Sequence, residues 1–411
     1  MSSTIPLGIV ALESSMLNCI LIGPTLGLRL ALQGMSAALG DIYVLRALET
    51  YPTPGALTGL LNALDPDVVL LEIGATDQFP AIVRQIRDVR PRAALVGFTR
   101  KRDRERLDEA IQLGVEQILL APFTIDEFQE ALWESFRALP TPVFSNLVTF
   151  VPAKPGSGAS TIALNVTGIL AGQAGQDVLL MDGDREAGVL AMLLNVQPRN
   201  TLVNALHSSN ELNYGAWAYR SRKAKGFDLL ARAARTQSKE TFPPWCYHRL
   251  LNFVQEKYDT VVIDLSHVIE TEQETFVRQA GAVYVVCTPE PASLALARQQ
   301  FEVLKEHGVE EGRIGVILNR RLERDKDTLQ IEKILERPLY ATLPYDYVSV
   351  WQAEQVNKFI LDRSELGAAM SWLTYKLAGL PVEDLPSPAS ERGLRSLFRK
   401  RVAEVAVVHA D

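Results

Sequence analysis

The sequence predicts two α/β domains, each a doubly wound parallel sheet. Three observations carry this. Short unbroken apolar runs alternate with helical segments along most of the chain, the pattern of strands covered on both faces. A proline-rich joint, Leu139-Pro140-Thr141-Pro142, splits that alternation in two. Soon after it, a glycine-rich turn at 153–161 stands between a strand-like run and a helix-like one.

Length and composition bound the answer. The chain has 411 residues, enough for two or three domains. Its hydrophobic fraction of 47% supports substantial cores and excludes wholesale disorder. A net charge of −7 argues against nucleic-acid binding by the whole surface, so no specific nucleic-acid partner is expected. Cys19, Cys246 and Cys287 share no close spacing, which suggests neither a disulfide framework nor a zinc site and fits a reducing cytoplasm. The first residues lack a basic stretch followed by an uninterrupted apolar core, so no signal peptide is expected. No apolar run reaches the length of a transmembrane helix, about 18 residues.

Residues 1–14 read as a tail and 15–138 as the first domain. Its strand candidates are 18–23, 67–72, 93–99 and 117–123, with helices at 79–89 and 102–113. The run Pro66-Asp67-Val68-Val69-Leu70-Leu71-Glu72, then Thr99, then Ala121-Pro122-Phe123, resembles a response-regulator receiver domain. The resemblance implies a flavodoxin-like fold. It puts Glu72 at the phosphoacceptor position, Ala121 at the lysine position, and Gly23-Pro24 where an acidic pair holds magnesium. Phosphoryl transfer to a carboxylate needs a metal and a cation to offset charge. Both are missing, so no phosphoacceptor is expected. Glu72 is then a structural replacement, the alternative being a fixed mimic of the phosphorylated state. The domain reads as a pseudo-receiver, for docking or dimerisation.

Residues 139–145 form the linker, and 146–380 the second domain. A strand at 147–151 precedes Ala153-Lys154-Pro155-Gly156-Ser157-Gly158-Ala159-Ser160-Thr161, and a helix from 162 to 170 follows. Strand, glycine-rich turn and helix are the context of a phosphate-binding loop. Its N–H groups and the helix N-terminus favour an anion. Gly156 and Gly158 let the backbone approach closely. The usual loop ends G-K-[ST], with its lysine on the β- and γ-phosphates and its hydroxyl on Mg²⁺. Here Ala159 stands at the lysine position, Ser160 and Thr161 follow it, and a lysine occurs earlier, at Lys154.

That arrangement resembles the deviant Walker A loop of the MinD/ParA family, K-G-G-x-G-K-[ST]. The resemblance implies a P-loop NTPase fold binding ATP with Mg²⁺, and a homodimer in which Lys154 serves the nucleotide across the interface. Loop residues Lys154, Gly156, Ser157, Gly158, Ala159, Ser160 and Thr161 would hold the nucleotide. Strand 177–184 ends in Asp182 and Asp184. By the resemblance, Asp182 lies by the metal and Asp184 orients the attacking water, in a site that Ala159 impairs. Asp264, ending a strand at 258–264, suits a Walker B aspartate that holds Mg²⁺ through water. Ser160, Asp182 and Asp264 are thus the expected metal residues. His267 is read as a polar contact rather than a catalytic group. Strands at 281–287 and 313–320 follow, flanking a helix at 293–307. Asn319 falls where the family reads the adenine edge, with Arg320 beside it to pack on the base; the alternative is that Asn319 caps a turn.

A pseudo-receiver fused ahead of a degenerate domain of this kind is similar to the TadZ/CpaE group. So is Asp264-Leu265-Ser266-His267, near that group's D-x-P-H. The resemblance implies a scaffold of the Tad (Flp, type IVc) pilus machinery at the cell pole, ATP-binding but weakly or not hydrolysing, with the pilus assembly ATPase or other pilus components as partners. The alternatives are an active ParA/MinD-like ATPase that positions DNA or protein cargo, and a structural scaffold without nucleotide. Residues 381–411 form a linker and a basic tail. There Leu394, Leu397, Phe398, Val402, Val405 and Val408 recur at helical steps beside Arg392, Arg395, Arg399, Lys400 and Arg401. Such a segment, 391–408, is a candidate for peripheral contact with a membrane, or for docking on its own domain or on a partner. A basic patch at 220–225 reads as a solvated loop.

Overall fold

The structure is a computed structural model. It describes residues 17–385 apart from 41, 75–77, 140, 185–187, 198–200, 210–211, 213–216, 218–222, 225, 233–240, 324, 326, 361–362 and 383–384. The tail 1–14, most of the basic patch and the segment 391–408 lie outside the described residues. The chain divides into two compact units. One takes residues 1–142 with 206–211 and 242–249; the other takes 143–205, 212–241 and 250–411. The two short segments of the first unit fall within the stretch that the sequence reading gives to the second domain.

The first unit alternates strand and helix: β1 (Leu17–Ile22), α1 (Leu26–Leu39), β2 (Ile42–Leu48), α2 (Pro54–Leu64), β3 (Val68–Glu72), α3 (Gln78–Val89), β4 (Ala94–Thr99), α4 (Arg104–Gln112), β5 (Gln117–Leu120) and α5 (Ile125–Ala138). Its five strands pair in parallel, in the order β2-β1-β3-β4-β5. That is the flavodoxin-like order, in which the first crossover goes one way and the rest go the other. β3 and β4 are buried throughout, as all-apolar central strands must be. β2 was missing from the expected strands. It is an edge strand, half exposed and carrying Arg46, so its apolar pattern is broken. Helix α5 starts on a capping box, in which Thr124 and Glu127 satisfy each other's N–H groups.

At the carboxyl end of this sheet the Glu72 side chain is hydrogen-bonded within the unit. Glu72 is buried and accepts the Thr25 N–H at 2.8 Å and the Thr25 hydroxyl. The buried Arg29 donates to the Gly23 carbonyl at 2.7 Å and pairs with Glu49 at 3.0 Å. Tyr51 donates to the Glu72 carbonyl at 2.7 Å. Thr25 and Arg29 thus satisfy the polar groups of Glu72, Gly23 and Glu49 at this end of the sheet.

The second unit is a larger sheet in the order β13-β12-β11-β6-β10-β7-β9-β8. Its strands are β6 (Phe144–Pro152), β7 (Val178–Asp182), β8 (Lys223–Ala224), β9 (Phe227–Leu230), β10 (Thr260–Asp264), β11 (Ala280–Cys287), β12 (Ile314–Arg321) and β13 (Ala341–Pro344). All pair in parallel except β8 on β9. The helices after β6 are α6 (Ala159–Gly172), α7 (Leu190–Leu193), α8 (Leu202–His207), α9 (Pro244–Lys257), α10 (Glu274–Arg278), α11 (Pro291–Glu306), α12 (Thr328–Leu335), α13 (Tyr347–Gln355) and α14 (Glu365–Leu377), of which 206–207 and 244–249 count with the first unit. Central β6 lies between β11 and β10; the chain leaves it to one side, toward β7, and crosses to the other side between β10 and β11. The crevice at its carboxyl end is where such sheets bind ligands.

Helix α6 is buried almost all round, and two contacts lock it against the chain after α13. Gly168 leaves room for the Phe359 ring, which lies 2.6 Å from where a Cβ would stand. The Asn165 side chain accepts the Ile360 N–H at 2.8 Å. All three cysteines are buried and free. Among the described residues no helix is long and apolar enough to cross a membrane.

Candidate functional site

The turn between β6 and α6 has the conformation that its glycines permit. Gly156 has φ +80° and Gly158 φ +98°, in the left-handed region that disfavours a Cβ. Gly158 is also the N-cap of α6. Ser157 is fully buried and closes the turn. Its hydroxyl donates to the Lys154 carbonyl at 2.8 Å and accepts the Lys154 N–H at 3.3 Å. The structure therefore gives the Ser157 side chain a shaping role within the loop.

A cavity of about 580 Å³ opens on this loop. Of the residues expected to bind nucleotide or act on it, Gly156, Gly158, Ala159, Ser160, Thr161, Asp184 and Arg320 line it. Ala159 opens α6 and faces the cavity, so no cation stands there. Lys154 and Arg320 lie close enough to Glu290 to act on its charge. Glu290 is held below the usual carboxylate range, first by the Thr288 hydroxyl and further by these two cations.

The two strand-end aspartates stand side by side: Asp264 of β10 is the register partner of Asp182 of β7. Burial first, and nearby Asp184 with it, push Asp182 up to about 7, against the lowering effect of the Leu190 N–H. Burial likewise pushes Asp264 up to about 8, against the lowering effect of a hydrogen bond with Ser160. Each keeps one buried carboxylate oxygen, Oδ1, without a hydrogen-bond partner. Orphaned, desolvated carboxylate oxygens beside a serine hydroxyl fit a hard divalent cation. No cluster of three or more His, Cys, Asp or Glu that would hold a metal is found among the described residues. Mg²⁺ takes one or two carboxylates and completes its shell with phosphate and water.

Asn319 makes the contacts of the alternative reading, a cap on its own turn, and braces the loop besides. It is buried, its amide donates to the Ser157 carbonyl at 2.8 Å, and its Oδ1 accepts the Arg320 N–H at 2.9 Å. These bonds use one amide hydrogen and one lone pair of its oxygen, out of two of each. Arg320, with φ +59°, is the exposed member of the pair and faces the cavity. His267 is exposed on the same cavity wall.

Sequence reasoning missed three supports. Gly188 passes so close to Asp182 that a Cβ would stand 2.3 Å from its carboxylate, and Leu190 N–H donates to that carboxylate at 3.3 Å. Buried Gln273 donates to the Gly183 carbonyl at 2.8 Å. Glu354 reaches the cavity from α13. A glycine soon after an acidic strand end was a legible signal for the first; the other two depend on contacts far apart in sequence.

No protein-family model matches the chain. Curated relatives cover its C-terminal part. FleN, an antiactivator of Pseudomonas aeruginosa, is 24% identical over 269 residues, 63% of this chain and 93% of its own length. The septum site-determining protein MinD of Synechocystis is 24% identical over 268 residues, 63% of this chain and 98% of its own. Among solved structures, a ParA family ATPase from Chlorobium tepidum superposes with a TM-score of 0.53 at 24% identity. It covers 56% of this chain and 98% of that one. The C-terminal unit thus has the fold of MinD/ParA-type P-loop ATPases and is similar to them in sequence.

Proposed function

We propose that this chain is an ATP-binding, weakly or non-hydrolysing positioning protein of the Tad pilus assembly machinery, acting as a nucleotide-dependent homodimer at the cell pole. The observation that carries the reading is Ala159 at the head of α6, in a turn whose Gly156 and Gly158 take the left-handed conformation. Loop N–H groups and the helix N-terminus favour the phosphates. Ser160, Asp182 and Asp264 would hold Mg²⁺, which supplies charge neutralisation at the phosphates when bound. Without the loop lysine, that charge has one stabilising contact fewer, and the transition state for cleavage loses most.

Relatives named for determining the septum site favour a positioning role. The pseudo-receiver, with its acceptor position sealed by Thr25, suits docking or dimerisation rather than phosphotransfer. Lys154 is the residue we assign across the dimer interface. The pilus assembly ATPase or another pilus component is the partner we assign, in the cytoplasm. The segment 391–408 is what would meet an anionic membrane surface. A second reading, an active ParA/MinD-like ATPase that moves cargo, draws on the retained Asp182, Asp184 and Asp264.

A calorimetric titration with ATP and Mg²⁺, run beside a turnover assay, separates these readings. Saturable binding without turnover supports the proposal. Sustained hydrolysis favours the active ATPase, and no binding favours a scaffold without nucleotide. For the pilus assignment, deletion should abolish pili and a fluorescent fusion should form a polar focus. Normal piliation with diffuse fluorescence would refute it.

A further inference from the structure

Helix α1 is apolar on the side that faces solvent as well as on the side that faces the sheet. Its one charged residue, Arg29, is buried. Leu26 and Leu30, one turn apart, are 58% and 56% exposed. Gly27, Ala31, Gly34 and Ala37 extend them into an exposed arc with no polar side chain. A helix at a protein–water boundary ordinarily turns charged or polar residues outward, so this arc marks an interaction surface.

A basic loop borders it. Arg100, Lys101 and Arg102, between β4 and α4, are consecutive and exposed. The Arg100 guanidinium lies over the start of α1, 3.0 Å from where a Cβ of Gly27 would stand. Arg100 also lines a groove of about 430 Å³ with Gly27, Ala31, Pro122 and Phe123, so cation and apolar face belong to one surface. Among the described residues none of the three cations forms an ion pair. The acid that follows them, Asp103, is engaged in capping α4 and in pairing with Arg106 at 3.7 Å.

We propose that this surface seats the first unit on an anionic lipid bilayer, with Leu26 and Leu30 entering the acyl boundary and Arg100, Lys101 and Arg102 meeting the headgroup phosphates. Charge selects the occupant. A neutral bilayer or a purely apolar protein surface leaves three cations unanswered. A second copy brings no acidic residue on its own α1. An anionic bilayer supplies both halves at once, an apolar interior for the leucines and a layer of negative charge for the loop. At about 1 kcal/mol for each cation near such a surface, the three amount to roughly 100-fold in partitioning. The inference concerns the first unit alone. It rests neither on the nucleotide reading nor on the segment 391–408.

A probe on α1 reads this face directly. All three native cysteines are buried, so Ala37→Cys can be labelled selectively with NBD, whose emission rises in an apolar medium. The labelled full chain is mixed with phosphatidylcholine vesicles, with or without about 30% phosphatidylglycerol. Emission should rise severalfold on the anionic vesicles, hardly on the neutral ones, and less at high salt. Combining Arg100→Glu, Lys101→Glu and Arg102→Glu should abolish the rise, and so should Leu30→Asp. These positions are exposed, so the circular dichroism of both variants should match that of the parent. No rise on anionic vesicles overturns the proposal in favour of a protein partner. A rise that both variants retain also overturns it. A rise with protein concentration in the absence of lipid overturns it in favour of a second copy.

Discussion

The side-chain amide of Asn319, at the end of β12, donates to the carbonyl of Ser157 at 2.8 Å and so ties the phosphate loop to the far side of the sheet. The contact is close enough to fix what Gly158 can be. A Cβ added there would stand 2.3 Å from the Asn319 amide nitrogen, whereas one added at Gly156 meets nothing within 4 Å. Both glycines have positive φ, which costs a residue with a side chain about 1–2 kcal/mol. Gly156→Ala should therefore lose about that much in urea unfolding of the second unit, and Gly158→Ala clearly more. Equal losses would mean that the Asn319 contact does not constrain the loop.

Ala159→Lys tests the loop from the other direction. Ala159 is among the residues lining the cavity though itself buried at the edge of the core, and a lysine there would direct its stem into the cavity toward a bound phosphate. A charge-assisted contact of about 1.5–3 kcal/mol corresponds to roughly 10- to 150-fold tighter ATP binding. Calorimetry should show a gain in that range, accompanied by measurable hydrolysis. Unchanged affinity would mean that the loop does not hold the β- and γ-phosphates.

The buried aspartate pair predicts a definite pH dependence. With pKa values raised from the ordinary 3.8 to about 7 and about 8, folded Asp182 and Asp264 keep protons that the unfolded chain has already released. Their contribution to stability is therefore fully present below about pH 4, declines as pH rises through 7 and 8, and levels off above. Thermal melting without metal should show Tm falling across that window. The slope should shrink in Asp264→Asn, and also with Mg²⁺ and ATP, because a cation replaces the protons. A Tm that rises from pH 5 to 8 and is insensitive to Asp264→Asn would contradict this.

In the first unit, Thr25 satisfies Glu72 through both its N–H and its hydroxyl. Thr25→Val keeps the shape and removes one donor to a buried carboxylate, so it should cost about 1–3 kcal/mol in chemical denaturation. Small phosphodonors should leave the wild-type chain unmodified, as intact mass will show. Labelling at Glu72 would overturn the sealed-site account.

Much of this was legible because local chemistry dictates it. Gly156 and Gly158 announce a turn that no other residue makes easily, and the all-apolar runs around Leu70, Val148 and Val262 can only be central strands. What escaped depends on partners distant in sequence. β9 was hidden because it carries Asp228 in a buried strand. That carboxylate is tolerated because it accepts the Tyr258 hydroxyl, to which the Trp217 indole donates at 2.6 Å. β2 was hidden by its half-exposed edge position. Asn319 was placed correctly at a strand end, but its donation to a carbonyl 162 residues away is not readable from the sequence around it.

The central claim is that the loop holds ATP without cleaving it. Its most direct test is the identity of the nucleotide bound to the wild-type chain. The chain is incubated with ATP and Mg²⁺, stripped of free nucleotide, and its bound fraction resolved by chromatography over hours. The account predicts close to one ATP per chain, persisting as ATP. An empty chain, or steady conversion of the bound ATP to ADP, would contradict it.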